Sequence, residues 1–325
     1  MNFWKKLKKP ILALAPMAGI TDSAFRQMCK SFGADVVYSE MASAAALCFN
    51  PKKTLEMLAS DKKERPYVVQ LFGNKPEHFA AAVKVLTGNL KNPKSNPPAG
   101  EAGIQNLKFI DGIDINFGCP VKKVAKQGAG AVLMDRPKEA REIVKAVLGA
   151  SDLPVSIKIR TLSGKTDALK FLELLSDLPL AAVMIHGRTM SQGHAGDVDC
   201  RTIKEARQYF GGVILANGGV TDKKTALDLL ESTGADGLGI ARGALGKPWV
   251  FDNIKNKKEK IKNREEIIEI ALRHVKLAHK LKGEAGIIEM RKHLCWYVAG
   301  QPEASELRRK LVLVSSLKEI KEILK

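Results

Sequence analysis

Gly112-Ile113-Asp114-Ile115-Asn116-Phe117-Gly118-Cys119-Pro120 is a short apolar run that ends in polar residues and a turn fixed by Gly and Pro. Residues 112–116 have the length and Ile content of a strand buried on both faces of a parallel sheet. Seven other segments have the same character: Ile11–Ala15, Asp35–Ser39, Tyr67–Leu71, Val155–Ile159, Ala182–His186, Val213–Asn217 and Gly237–Ile240. Stretches of helical periodicity alternate with them, and several open on clear start signals: Asp22, Pro76, Pro137 and Asp222. Eight βα units in one chain predict an α/β fold, a closed (β/α)8 TIM barrel.

Beyond Trp249 the strands cease. Helical segments are expected over Glu265–Leu281 and Ala285–Ala299, with two shorter ones between Glu303 and Lys325. Residues 251–325 carry 18 Lys and Arg against 11 Asp and Glu. The reading is a barrel over 1–250 and a basic C-terminal all-helical domain over 251–325. Between Gly88 and Lys108, Asn92-Pro93 and Asn96-Pro97-Pro98 interrupt any period, and an inserted surface loop is expected.

With 45% hydrophobic and 27% charged residues, the 325-residue chain has a globular composition, and no apolar run reaches a spanning helix. Four lysines before Ile11–Ala15 give the outline of a signal peptide, but Pro16 and Gly19 interrupt the apolar stretch and a first barrel strand explains it better. The cysteines are at 29, 48, 119, 200 and 295. An odd number without a C-x-x-C pair indicates neither a disulfide framework nor a metal site, and a reducing, cytoplasmic setting is expected. The net charge of +18 suits a polyanionic partner.

In such barrels the side chains that end the strands gather at the C-terminal mouth, where the chemistry is done. The polar strand ends are Ser39-Glu40, Gln70, Asn116 with Cys119, Lys158 with Arg160, His186 with Arg188, Asn217 and Arg242. Asn217-Gly218-Gly219 and Gly239-Ile240-Ala241-Arg242-Gly243 follow the seventh and eighth strands, where barrels commonly hold phosphate on backbone N–H groups. Lys158, inside an apolar run, needs either an anion or a structural partner, for which Asp114 is the nearest candidate. Cys119 is an acid, a nucleophile or a buried hydrophobe, and spacing does not separate these roles.

Taken together, these residues resemble the tRNA-dihydrouridine synthases, and among them the bacterial B-type branch. The resemblance is carried by Ala15-Pro16-Met17-Ala18-Gly19, Ser39-Glu40-Met41, Gln70-Leu71-Phe72-Gly73, Asp114 to Pro120 with Lys123-Val124, Lys158-Ile159-Arg160-Thr161 and His186-Gly187-Arg188-Thr189. It continues into the helical region through Met290-Arg291-Lys292-His293 and Trp296-Tyr297.

What the resemblance implies is an FMN enzyme that uses NADPH to reduce the C5–C6 double bond of particular uridines in tRNA. Hydride passes from flavin N5 to C6, and Cys119 protonates C5. By the same resemblance Pro16, Met17 and Ala18 border the flavin ring, Gln70 and Lys158 bond its polar edge, and His186 helps hold it. Asn217, Gly218, Gly219, Ala241 and Arg242 hold its phosphate. Asn116, Arg160 and His194 face the uridine, and Arg291 and Lys292 face the tRNA. No membrane and no stable protein partner are implied. Gly219 stands where an Asp is common, Ala241 where a Gly is common, and His194 where an aromatic residue is common; the first two leave backbone donors in place. Two alternatives share the barrel. A dihydroorotate- or dihydropyrimidine-dehydrogenase-like flavoenzyme would not need the basic helices, and a redox-inactive RNA-binding relative would not need Cys119, Lys158 and Gln70.

Overall fold

The computed structural model describes residues 2–88, 109–256 and 262–324. Eight parallel strands close a barrel: β1 (Ile11–Leu14), β2 (Val36–Ser43), β3 (Tyr67–Phe72), β4 (Gly112–Asn116), β5 (Val155–Arg160), β8 (Ala182–His186), β9 (Val213–Asn217) and β10 (Gly237–Ile240), with β10 returning to pair with β1. All eight expected segments are strands of this barrel. Alternate residues face opposite ways along a strand. Leu12, Leu14, Val37, Val69, Ile113, Ile115, Ile157, Val183 and Ile185 therefore join the outer core under the helices. Ile11, Ala13, Val36, Tyr38, Val68, Ala182, Met184 and Leu215 form a second cluster, inside the barrel, with Trp4. A Cβ at Gly239 would stand 2.6 Å from Met184 Sδ, so the glycine leaves the interior to that long side chain.

β2 runs past its expected end at Ser39. A register shift between Tyr38 and Met41 lets Met41, Ala42 and Ser43 pair with Gln70, Leu71 and Phe72. An antiparallel pair, β6 (Leu162–Ser163) and β7 (Thr166–Asp167), is too short to show a period in sequence. The helix signals correspond to real caps: Asp22 accepts from Phe25 N at 2.9 Å, Asp222 forms a capping box with Thr225, and Pro76 and Pro137 occupy first turns. The loop expected between Gly88 and Lys108 lies, apart from Gly88, outside the described residues.

The short helix Val250–Lys255 belongs to the barrel: Val250, Phe251 and Ile254 enter its outer core, and Lys255 pairs with Asp35 at 2.6 Å. Residues 251–255, expected in the helical domain, thus pack with the barrel. Four helices follow: Arg264–Lys282, Glu284–Tyr297, Ala304–Leu311 and Leu317–Leu324. They share a separate core cluster that takes in Ala24 and Trp249 from the barrel. Lys282 Nζ reaches Asp22 at 2.8 Å and Arg273 reaches Ser31 Oγ at 2.8 Å, which fixes the helical unit against the helix Ser23–Ser31. Among the described residues no helix is long and apolar enough to cross a membrane.

Candidate active site

Strand register arranges the polar strand ends in layers. Gln70, Asp114 and Ser156 are neighbours across β3, β4 and β5; Asn116 lies beside Lys158; Arg160, His186, Asn217 and Gly239 form the layer above. The interior thus changes, going toward the mouth, from apolar side chains to amides and then to cations.

Cys119 sits on the turn after β4 and is half-buried. Its own N–H donates to Asn116 Oδ1 at 2.9 Å, and the Gly118 N–H donates to the same oxygen at 3.1 Å. Asn116 Nδ2 donates to Gln70 Oε1 at 2.9 Å, Gln70 Nε2 to Asp114 Oδ2 at 2.7 Å, and Ser156 Oγ to Asp114 Oδ1 at 2.6 Å. Burial pushes the Asp114 carboxyl up to about 6, against its bonds from Gln70 and Ser156. Asp114 is thus held by an amide and a hydroxyl, and the amine of Lys158 bonds Asn217 Oδ1 instead, at 3.2 Å.

Four cations gather at the mouth, and their bonds run to neutral partners: amide and carbonyl oxygens and, for Arg188, also His186 Nε2 at 3.5 Å. Arg160, buried, donates to Gly118 O at 2.7 Å, Thr189 O at 2.9 Å and Gly193 O at 2.8 Å. Arg188 donates to Gly196 O at 2.9 Å, and Arg242 reaches His194 O at 3.4 Å. Burial, then Arg160, draws the Lys158 ammonium down to about 8. Burial and the nearby Lys158, Arg160 and Arg188 push His186 to about 2, so its imidazole is neutral. His194, exposed, is lowered by desolvation and then by Arg242, and its ring lies 5.8 Å from that of His186. Cys119 lies close enough to Lys158 and Arg160 to couple electrostatically to both. Arg160 and Arg188 are buried, Lys158 is partly so and Arg242 is exposed, and among the described residues none of the four is in a salt bridge, which suits the group to an anion.

The phosphate-type loops lie beside this group. Gly218 and Gly219 have φ of +121° and +73°, and a Cβ at Gly218 would stand 3.1 Å from His186 Cδ2. Ala241 leads into the turn Arg242–Ala244. On the β1 side, the loop of Pro16, Met17 and Ala18 is tied by Met17 N–H to Thr21 Oγ1 at 3.1 Å and by Gly19 N–H to the Glu40 carboxylate. These residues therefore suit a flat, anionic, phosphate-bearing group such as FMN.

The two residues expected to face the tRNA stand on the helix Glu284–Tyr297. The Arg291 guanidinium is given to Val314 O at 2.8 Å and Leu313 O at 3.2 Å, holding the link between the last two helices. Lys292 lies near enough to Glu40 to lower its carboxyl, which burial raises. Sequence reasoning missed Ser156, which carries no motif, and the work of Asp114, which is visible once strand register is known.

A closed parallel barrel with a thiol and a cationic pocket at its C-terminal mouth defines a (β/α)8-barrel enzyme. The Dihydrouridine synthase (Dus) family matches residues 13–90 and 99–325. Over 305 residues the chain is 34% identical to tRNA-dihydrouridine synthase B of Pseudomonas putida, covering 91% of this chain and 85% of that one. For tRNA-dihydrouridine synthase B of Vibrio parahaemolyticus the figures are 34% over 307 residues, 92% and 89%. Probable tRNA-dihydrouridine synthase 1 of Synechocystis is 32% identical over 319 residues, 95% and 84%. Among solved structures, morphinone reductase aligns with a TM-score of 0.52 at 11% identity over 82% of this chain and 92% of its own. Histamine dehydrogenase from Rhizobium sp. 4-9 aligns at 0.52 and 11% over 82% and 49%. At that identity both show the fold alone. The chain belongs to the dihydrouridine synthase family, in its bacterial B-type branch, and is an oxidoreductase.

Proposed function

We propose that this protein reduces the C5–C6 double bond of specific uridines in tRNA, with FMN bound at the barrel mouth, NADPH as reductant and Cys119 as the proton donor. The observation that carries the reading is the Cys119 thiol, held on a pinned turn beside a cationic pocket. When bound, FMN supplies the hydride that C6 receives. Cys119 gives its proton to C5 and regains one from solvent.

The remaining residues take supporting roles. Lys158 and Gln70 meet the polar edge of the cofactor, and Pro16, Met17 and Ala18 wall its ring. His186, being neutral, donates or accepts a hydrogen bond without adding charge. The N–H groups about Asn217, Gly218, Gly219 and Ala241, with Arg242, receive the phosphate. Asn116 and Arg160 flank the pyrimidine while holding the Cys119 turn, and His194 closes the uridine side. A uridine in folded RNA presents both faces of its ring once it is extruded, so the flanking backbone needs a separate grip. The basic helical region, with Lys292 on its mouth side, provides that grip, and Arg291 supports it from behind.

The test is Cys119→Ala. A positioned general acid is worth roughly 10²–10⁴ in rate. The variant should keep FMN and tRNA binding and lose at least about 100-fold in dihydrouridine formation on unmodified tRNA with NADPH. Formation at the parent rate would remove Cys119 from the mechanism.

A further inference from the structure

One acid in the barrel has no part in the scheme above. Asp114 is fully buried on β4 below the mouth, and it bonds neither the cofactor pocket's cations nor the thiol. It ends a chain of hydrogen bonds whose other end is the Cys119 turn.

The donor–acceptor sense of that chain is dictated from both ends. The N–H groups of Gly118 and Cys119 are donors, so Asn116 must turn Oδ1 toward them and Nδ2 away. Asn116 Nδ2 then requires Oε1 of Gln70, which leaves Gln70 Nε2 pointing at position 114. An acceptor is required there, and the carboxylate supplies one oxygen to Gln70 and the other to Ser156. Without an acceptor at 114, Gln70 Nε2 is a buried donor with no partner; if the amide swings away to find one, Oε1 leaves Asn116 Nδ2. Asn116 is then free to turn too, and when it does the Cys119 turn loses both of its N–H bonds. Gln70 is 1% exposed, so solvent does not step in.

We propose that Asp114 is a positioning residue that fixes the orientation of the Gln70 and Asn116 amides and thereby aims Cys119. The functional meaning of this aim rests on Cys119 being the proton donor; the orientation itself does not.

Two substitutions of similar size separate sense from charge and packing. In Asp114→Asn the side chain can present Oδ1 to Gln70 and Nδ2 to the Ser156 oxygen, so the sense survives. In Asp114→Leu no acceptor remains. The first readout is the rate of iodoacetamide alkylation at Cys119 in the intact protein, followed by peptide mass spectrometry with Cys48 and Cys200 as internal references. Asp114→Leu should alkylate at Cys119 at least threefold faster than the parent, and Asp114→Asn within about twofold of it. The second readout is dihydrouridine formation, where kcat should fall at least tenfold in Asp114→Leu with KM for tRNA within twofold, and Asp114→Asn should stay within threefold of the parent. Parent-like alkylation in Asp114→Leu overturns the proposal, as does an equal change in both variants. A changed alkylation rate in an enzyme whose parent forms no dihydrouridine supports the positioning role and overturns the functional reading. If Asp114→Leu does not fold, Gln70→Met interrupts the same chain one link nearer the turn and is read by alkylation in the same way.

Discussion

An ammonium at the end of β5, bonded to a neutral amide oxygen, is poised for an anion. Burial has already drawn Lys158 down to about 8, so it is still charged at neutral pH but gains from a negative partner. A hydrogen bond to a charged group is worth about 1.5–3 kcal/mol. If Lys158 meets the reduced flavin, Lys158→Met removes that stabilisation from the reduced form, and the midpoint potential should fall by on the order of 30–60 mV for a two-electron couple. Redox titration of the FMN-loaded variant reads this directly, and an unchanged potential would place Lys158 elsewhere. Lys158 was legible in sequence for the same reason as Asn116, His186 and Asn217: buried parallel strands read as apolar runs, so a polar residue at their ends stands out. The partners were not legible. Whether Lys158 meets Asp114 or Asn217 depends on how β4, β5, β8 and β9 are staggered, and an apolar run carries no mark of its stagger. Arg291 is the same case, since its carbonyl partners lie 22 and 23 residues further along the chain.

At the level of elements, the contact between the helix Ser23–Ser31 and the two long C-terminal helices encloses two imidazoles. His274 bonds Tyr297 Oη at 3.2 Å, His293 lies 4.8 Å from it ring to ring, and Phe25 packs on both. Among the described residues His274 Nε2 and His293 Nδ1 have no hydrogen-bond partner, which neutral rings tolerate better than charged ones. Burial lowers His274 to about 4 and pushes His293 well below its ordinary value. Asp22 pulls the other way on both. Burial alone would raise Asp22, but Lys282, the Phe25 N–H and His274 together lower the carboxyl to about 2, so it is ionised wherever His274 titrates. The sign follows: between pH 6.5 and about 4 the unfolded chain binds a proton at His274 that the folded chain does not. Stability is fully present above pH 6.5 and falls as pH drops, by about 3 kcal/mol for His274 alone. Thermal unfolding followed by Trp fluorescence should therefore shift down between pH 7 and 4.5, and His274→Gln should flatten that dependence; an equally steep one would acquit the imidazole. The helices themselves were legible, the first from its start signal at Asp22 and the two long ones from the segments expected over Glu265–Leu281 and Ala285–Ala299. Their docking was not, because His274 and His293 look like ordinary polar positions until Phe25 is brought against them.

For the molecule as a whole, two cores meet through Ala24 and Trp249, and this changes how the tRNA grip is best tested. Removing everything beyond Asn263 would strip those residues, together with Phe25, of their cover, so weaker binding would be confounded with failure to fold. Charge reversal at the surface avoids this. Lys292 shares a field with Glu40 near the mouth, and Arg308 acts on Cys295, one turn from Lys292 on the helix Glu284–Tyr297. The two cations therefore lie on one side of the helical unit. Lys5 and Lys8 precede β1 and lie exposed at the opposite, N-terminal end of the barrel. If the net charge of +18 acts as a diffuse attraction, reversing either pair weakens tRNA binding equally. If the grip is local, Lys292→Glu with Arg308→Glu lowers the slope of log K against log salt by about 1 for each phosphate that is no longer neutralised. Lys5→Glu with Lys8→Glu should then leave that slope within error. Binding of unmodified tRNA measured from 50 to 200 mM salt distinguishes the two, and equal slopes in both double variants would show that the helical unit confers no localised grip on the backbone.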